Sequence, residues 1–363
     1  MIANNPSLNK IPTTVVTGFL GSGKTTLLAN LLKKAKGKRI AVIMNEFGEL
    51  DIDSDVLRHC PLECEDDAVE LVGGDEGIYE LANGCICCTV EEEFLPVMKK
   101  LVERRDQIDH ILIETSGLAL PKPLVQAFNW PGIKEHCTVD AVITVVDGPA
   151  IAAGRFASDE EKVKQQRAAD ESLDHDPSLQ ELLDDQLDAA DLVVVSKSDL
   201  LNDADIEKVK NVIQTRLPST VKTAYINHGN VPLEVLIGIH AEAEKSIEHV
   251  HNHHDEHHAH GSHHDHAHDH FDSLVISFGR VDSNKLSTVI EQLLNDFNLF
   301  RVKGFAAVAN KPMRQVLQAV GKRLESHFDR LWETDETPKT ELVLIGKGLD
   351  EVAITTLLKS AEV

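Results

Sequence analysis

The stretch Gly18–Thr25, GFLGSGKT, decides the fold, because it joins a predicted strand, Ile11–Thr17, to a predicted helix, Lys24–Lys36. It matches the pattern GxxxxGK[ST] in the strand–loop–helix context that this pattern requires. Its glycines let backbone N–H groups curl around one point, and the start of the helix adds partial positive charge there. Lys24 would reach the β and γ oxygens of a phosphate chain, and the Thr25 hydroxyl would bind Mg²⁺. The sequence therefore predicts a phosphate-binding loop.

Further short runs of β-branched and apolar residues alternate with helical stretches. This alternation predicts an α/β fold in which helices cover a parallel-rich sheet. The polar, helix-compatible residues 154–188 interrupt the pattern, and we expect them to form a surface excursion. The additional predicted strands are Arg39–Met44, His110–Glu114, Val139–Asp147 and Asp191–Ser196.

The charge of the chain excludes two classes of partner. Of its 363 residues, 36 are Lys or Arg and 60 are Asp or Glu, which gives a formal net charge of −24. Such a surface repels nucleic-acid phosphates and anionic lipids. The chain has no secretory signal pattern and no run approaching about 18 apolar residues. We expect a cytoplasmic protein that binds neither nucleic acid nor membrane.

The predicted strand His110–Glu114 ends in a carboxylate, as a Walker B element that reaches Mg²⁺ does. Gly117 follows three residues later, where its backbone can approach a γ-phosphate. Asp147 ends another strand and is the second candidate for the Walker B carboxylate. The predicted catalytic residues are Lys24, Thr25 and Glu114.

Ser196-Lys197-Ser198-Asp199 follows the last of these strands and resembles the [NT]KxD element of GTPases, with Ser in the first position. An Asp carboxylate accepts hydrogen bonds from guanine N1–H and N2–H₂, whereas adenine offers no such pair of donors. A buried site built for these donors rejects a base that lacks them by about 10⁴-fold or more. GTP with Mg²⁺ is therefore the predicted ligand. The candidate nucleotide-binding residues are Gly18, Gly21, Ser22, Gly23, Lys24, Thr25, Thr26, Gly117, Lys197 and Asp199.

Three cysteines, Cys85, Cys87 and Cys88, lie within four residues of each other in GCICC. Cysteines in the cytosol stay reduced, so a cluster indicates metal binding or redox chemistry more than a disulfide framework. Three thiolates supply most of a tetrahedral metal site. Glu46, in the stretch NEFGE after the second predicted strand, is a candidate fourth ligand or a residue on the Mg²⁺ side. The sequence therefore predicts a site for a divalent metal.

Two further groups of metal-binding residue types are less specific. The spacing of His59, Cys60 and Cys64 could hold a metal, and a disordered surface loop explains it equally well. Twelve of the 19 histidines lie between His249 and His270, where apolar residues are almost absent. This composition predicts a disordered His-rich linker that could collect divalent ions with low affinity.

The chain is expected to divide into three parts. Residues 1–245 would form the nucleotide-binding domain, residues 246–270 the linker, and residues 271–363 a second, smaller α/β domain. In this last part the pattern predicts the order strand, helix, strand, strand, strand, helix.

These motifs, in this order, resemble the CobW family of GTP-dependent metallochaperones, and the resemblance covers nearly the whole chain. GCICC and ETSGLALP, residues 114–121, are its most specific parts. The resemblance implies a P-loop GTPase domain, a CobW C-terminal domain and hydrolysis of GTP to GDP and phosphate. It also implies that the three clustered cysteines are the metal ligands.

Within the family, the insertion beginning at Gly154 and the cysteines Cys60 and Cys64 look most like the members tied to aerobic cobalamin biosynthesis. That likeness implies delivery of Co²⁺ to an acceptor protein, a cobaltochelatase. Two alternatives stay open. A zinc chaperone of the same family uses the same ligands, and Zn²⁺ normally outcompetes Co²⁺ at such sites. The protein could also store or sense metal under the control of a nucleotide.

Overall fold

The computed structural model describes residues 10–35, 38–45, 70–71, 78–81, 94–157, 159, 161, 163, 178–237, 271–332 and 336–363. The chain divides into two compact units between Ile237 and Gly238. The predicted His-rich linker, residues 246–270, lies outside the described residues.

The described strands of the first unit form one parallel sheet of eight strands. Their order across the sheet is β3-β2-β5-β1-β6-β7-β8, and β4 also pairs with β2. The strands are β1 (Ile11–Thr17), β2 (Arg39–Asn45), β3 (Glu70–Leu71), β4 (Ile78–Leu81), β5 (His110–Glu114), β6 (Cys137–Asp147), β7 (Leu192–Ser196) and β8 (Lys222–Tyr225). The five predicted strands are all present, and β1 and β5 have the predicted bounds.

Helices pack against this sheet, and every residue of β1, β5 and β7 is buried. Strands covered on both faces carry continuous apolar runs, which is why these segments were recognisable in the sequence. The helix predicted at Lys24–Lys36 ends earlier, at Lys34. The described helices are α1 (Lys24–Lys34), α2 (Leu95–Glu103), α3 (Pro121–Ala127), α4 (Gly148–Ala152), α5 (Leu179–Ala189), α6 (Asp203–Gln214) and α7 (Leu233–Leu236).

The strand order brings the ends of four strands together. β1 lies between β5 and β6, and β7 lies on the far side of β6. Across the sheet Val16 pairs with Glu114, and Asp147 pairs with Ser196. Because the carboxyl ends of parallel strands meet at one edge, the loops after these strands face the same crevice.

Part of the segment expected as a surface excursion belongs to the core. Helix α5 begins with a capping box between Ser178 and Glu181, and it buries Leu182, Leu183 and Leu187. Leu187 follows Leu182 by five residues and Leu183 by four, so the three side chains lie on one face of the helix. The prediction for 154–188 is therefore wrong over α5, which buries this face, and with it the polar Gln186, in the core.

The second unit contains a five-stranded antiparallel sheet in the order β12-β11-β10-β13-β9, together with two helices. Its elements are β9 (Asp272–Phe278), α8 (Ser283–Asp296), β10 (Leu299–Ala306), β11 (Met313–Val320), β12 (Arg323–Leu331), β13 (Thr340–Gly346) and α9 (Glu351–Lys359). Apolar side chains from both helices and the sheet form one core cluster. The predicted small domain of strands and helices is present, although its sheet is antiparallel.

One strand of this sheet, β12, was not predicted. Its sequence, RLESHFDRL, is rich in charged side chains and contains no apolar run. It lies at the edge of the sheet and pairs with β11, so the burial that marks a central strand is missing. Among all the described elements, no helix combines the length and the apolar character needed to cross a bilayer.

The packing of α5 predicts that substitutions on its buried and exposed faces differ in their effect on the free energy of unfolding. Leu187→Ala should lower the free energy of unfolding by about 3 kcal/mol, because it opens a cavity in a closed core. Asp185→Ala, on the exposed face of the same helix, should change it by less than about 0.5 kcal/mol. Chemical denaturation of both variants checks this. A surface excursion would give two small and similar changes.

Candidate functional site

The loop between β1 and α1 passes very close to β6. A side chain on Gly18 would place its Cβ 2.1 Å from the carbonyl oxygen of Val145, so only glycine fits there. Gly23 takes a φ of +98° and caps α1 without a side chain. The N–H groups of the first turn of α1 are thus left for an anion. The Ser22 hydroxyl is buried and has no hydrogen-bond partner among the described residues.

Lys24 lies across the inside of this loop. Its Nζ donates to the carbonyl oxygens of Gly18, at 2.9 Å, and Phe19, at 3.2 Å. The side chain is buried, so the positive charge stays at the centre of the loop. A phosphate that binds in the loop would therefore contact a positive charge whose position is already fixed. Gly21 and Thr26, also predicted nucleotide contacts, are exposed on the rim of the loop and on the first turn of α1.

Thr25 and Glu114 form the pair of oxygen donors that the sequence predicted for Mg²⁺. The Thr25 hydroxyl donates to Glu114 Oε1 over 3.2 Å, across 89 residues of sequence. Glu114 is the last residue of β5 and is 7% exposed. A hydroxyl and a carboxylate at this distance suit a hard cation that prefers oxygen ligands. The residues present therefore fit Mg²⁺.

The second candidate for the Walker B carboxylate, Asp147, has other partners. Its Oδ1 accepts from the backbone N–H of Ala150 and caps α4, while its Oδ2 accepts from Lys197 Nζ at 2.5 Å. Both oxygens are thus occupied by protein donors. Of the two acids at strand ends, Glu114 is the one that contacts α1, the helix that follows the phosphate-binding loop.

The segment after β5 lies against the phosphate-binding loop. The Thr115 hydroxyl donates to Thr17 Oγ1 over 3.0 Å, which links the ends of β5 and β1. A Cβ on Gly117 would lie 2.6 Å from the backbone nitrogen of Leu20. Because such contact leaves no room for a side chain, Gly117 lets two backbone segments meet beside the phosphate site.

Ser196 and Lys197 hold the phosphate-binding loop from the other side. The Ser196 hydroxyl lies 2.6 Å from the carbonyl oxygen of Ser22, to which it donates. Lys197 adopts a left-handed conformation, with φ at +56°, and its Nζ donates to the carbonyl oxygen of Gly21 over 2.9 Å. Asp199 follows in a short 3-10 turn and is exposed, so its carboxylate is open to a ligand. The SKSD segment therefore holds the phosphate-binding loop in place and also presents an accessible carboxylate, that of Asp199.

A loop that the motif analysis missed lies beside SKSD. The backbone N–H of Ser198 donates to the carbonyl oxygen of Ile226, just after β8. Farther along, the carbonyl oxygen of His228 accepts from Asn30 Nδ2 on α1. The residues Asn-His-Gly-Asn after a short strand are typical of a turn, and this composition could have predicted the loop.

The predicted metal ligands cannot be placed by the structure. Cys85, Cys87, Cys88 and Glu46 lie outside the described residues, as do His59, Cys60 and Cys64. Within the part of the chain that is described, no three His, Cys, Asp or Glu side chains form a group that could hold a metal. Cys137 is described and is buried at the start of β6, and burial raises the pKa of its thiol to about 12. In the metal-free protein this thiol is therefore protonated at neutral pH.

The ion pair behind the phosphate-binding loop predicts an energetic coupling. In a double-mutant cycle, Lys197→Met and Asp147→Asn should show an interaction of about 1 kcal/mol in unfolding free energy, because Asp147 is buried and loses its cation. The more exposed pair Lys208 and Asp205, whose side chains are 61% and 25% exposed, is the control, and its coupling should stay below about 0.5 kcal/mol. Equal coupling in the two cycles would contradict the structural role given to Lys197.

Two family models match the chain. The model described as "CobW/HypB/UreG, nucleotide-binding domain" matches residues 12–222, and "Cobalamin synthesis protein cobW C-terminal domain" matches residues 271–362. Together they cover most of the two compact units.

Three named relatives align along nearly their whole length. A Pseudomonas aeruginosa protein named "Zinc chaperone CobW" is 52% identical over 355 residues, which cover 98% of this chain and 92% of the relative. A Sinorhizobium protein of the same name is 46% identical, covering 95% of each chain. "Zinc chaperone YjiA" of Escherichia coli is 30% identical, covering 96% of this chain and 97% of the relative. The resemblance and the fold class predicted from the motifs are confirmed, and the chain belongs to the CobW family of P-loop GTPases.

Proposed function

We propose that this protein hydrolyses GTP and uses the nucleotide to control the binding and release of Zn²⁺. The observation that carries the proposal is the register of three strands at the nucleotide edge of the sheet. Met44 of β2 pairs with Glu114 of β5, and Asn45 of β2 pairs with Leu81 of β4. Segments that follow these strands therefore leave the sheet at one edge.

The cysteine cluster follows this edge closely in sequence. Gly84-Cys85 comes three residues after the end of β4, and Glu46 comes directly after the end of β2. The last residues of the two strands, Asn45 and Leu81, lie at the edge of the sheet where Glu114 contacts Thr25. A metal bound by Cys85, Cys87 and Cys88 would thus lie within reach of loops that respond to a nucleotide.

The chain's own residues support hydrolysis of a nucleoside triphosphate. Lys24 supplies a fixed positive charge to the phosphates, and Thr25 and Glu114 supply oxygen ligands for Mg²⁺. When bound there, Mg²⁺ would neutralise charge on the transferring phosphoryl group. Gly117 allows the backbone after β5 to come close to a γ-phosphate, and its segment would relax when that phosphate leaves.

Asp199 favours guanine as the base. It is exposed at the edge of the site, next to Lys197, which already spans the phosphate-binding loop. A carboxylate in this position can accept hydrogen bonds from guanine N1–H and N2–H₂. Ser196 donates to the loop backbone, so the Ser in place of the usual first residue keeps a function in loop support.

Zn²⁺ is the cargo that the relatives favour. All three relatives reported above are named zinc chaperones, and thiolates are ligands that bind Zn²⁺ well. The motif-based expectation of Co²⁺ delivery to a cobaltochelatase is supported less well than the zinc alternative.

The coupling predicts that the affinity for Zn²⁺ depends on the bound nucleotide. With Mg²⁺ present, the dissociation constant for Zn²⁺ should be at least about tenfold lower with a non-hydrolysable GTP analogue than with GDP or without nucleotide, because γ-phosphate contacts order the loops. Competition against a chromophoric chelator measures the dissociation constant for Zn²⁺ in each nucleotide state. Equal constants in the three states would contradict nucleotide control and would leave metal storage as the better account.

A pair of cysteine variants separates the cargo site from general thiol effects. Cys87→Ala should abolish the nucleotide-dependent gain in affinity, because it removes one thiolate. Cys137→Ala should retain the gain, since this thiol is buried with a pKa of about 12. Retention of the full gain in Cys87→Ala would mean that the cluster is not the coupled site.

A further inference from the structure

Gln186 is a buried polar residue to which the motifs assign no function. It lies on α5, and its side chain is completely buried. Its Nε2 donates to the carbonyl oxygens of Gly117 and Ala119, each at 3.3 Å. The chemistry of the partners fixes the amide orientation, because an amide oxygen in that place would face two other oxygens. One side chain thus holds two carbonyl groups of the segment that follows the Walker B strand.

The helix that carries Gln186 is itself held firmly. The backbone carbonyl oxygen of Gln186 accepts from Thr144 Oγ1 on β6, at 2.8 Å. Leu187 of the same helix shares a buried apolar cluster with Phe19 of the phosphate-binding loop and Leu118. α5 is therefore a fixed support against which the segment 117–119 is positioned.

The position of that segment relative to the phosphate-binding loop is tight. Gly117 approaches the Leu20 backbone so closely that a Cβ would lie 2.6 Å from the Leu20 nitrogen. The direction of the backbone groups around Gly117 depends on the peptide planes after it, and Gln186 holds the carbonyls of Gly117 and Ala119, the residues before and after Leu118. A change in these carbonyls would turn the backbone that faces a γ-phosphate.

A purely structural role would not require glutamine here. Among the described residues, Gln186 Oε1 is buried without a hydrogen-bond partner, which is costly. Methionine or leucine would fill a similar volume with no such cost, because an apolar side chain avoids the desolvation of an amide. The two donors directed at the carbonyls after Gly117 are what glutamine adds.

We propose that Gln186 is a positioning residue that sets the segment 117–119 for contact with a γ-phosphate, and so makes the site prefer guanosine triphosphate over diphosphate. This inference rests on the proposed function, because it assumes that the site binds both nucleotides.

The test compares two nucleotides in the full-length protein. Titration calorimetry with Mg²⁺ measures the affinities for GDP and for a non-hydrolysable GTP analogue. Gln186→Met should weaken the affinity for the triphosphate analogue by about tenfold and change the affinity for GDP by less than twofold. Gln180→Met, an exposed glutamine on the same helix, is the matched control and should leave both affinities unchanged. Equal weakening of both nucleotides by Gln186→Met, or no change in either, would overturn the proposal.

A second variant covers the case in which Gln186→Met does not fold. Gln186→Glu keeps the shape, and when protonated it keeps one donor for the two carbonyls. Relative to the unsubstituted protein at each pH, its preference for the triphosphate should fall as pH rises from 6 to 8, because deprotonation removes the donor. A preference equal to that of the unsubstituted protein at a pH where the substituted carboxyl is ionised would overturn the proposal. If the unsubstituted protein binds neither nucleotide, the proposed function has failed instead.

Discussion

The structure depends on keeping one glycine-rich backbone loop in place between strands from distant parts of the sequence. The loop passes so close to β6 that a Cβ on Gly18 would meet the Val145 carbonyl at 2.1 Å. The Ser196 hydroxyl and Lys197 Nζ then bind its carbonyl groups from β7. These contacts require β1 to lie beside β6 in the parallel sheet. The geometry of the phosphate site therefore depends on the strand order.

This constraint also connects the regions that are proposed to respond to nucleotide. β5 brings Glu114 to Thr25 on one side of the loop, and the segment around Gly117 continues from it along the loop. β2 and β4 end at the same edge, one residue before Glu46 and four residues before Cys85 in the sequence. The proposed coupling between nucleotide and metal therefore needs only neighbouring strand ends and no long relay across the molecule.

The sequence predicted what depends on local pattern. The bounds of β1 and β5 follow from apolar runs that end at polar residues or glycine, and the start of α1 follows from the Gly-Lys-Thr motif. It could not predict contacts made across many residues. Ser196 reaches the Ser22 carbonyl over 174 positions, and Gln186 reaches the Gly117 carbonyl over 69. Neither has a spacing signature, and the edge strand β12 has no apolar run to mark it.

The central claim is that the loops on both sides of the phosphate-binding loop respond together when a triphosphate binds. Amide hydrogen exchange in the presence and absence of a non-hydrolysable GTP analogue with Mg²⁺ tests this directly. The account predicts slower exchange in residues 18–25, 115–120 and 196–199, with less slowing in 115–120 when GDP replaces the analogue. Protection confined to residues 18–25, with the other two segments unchanged, would contradict it.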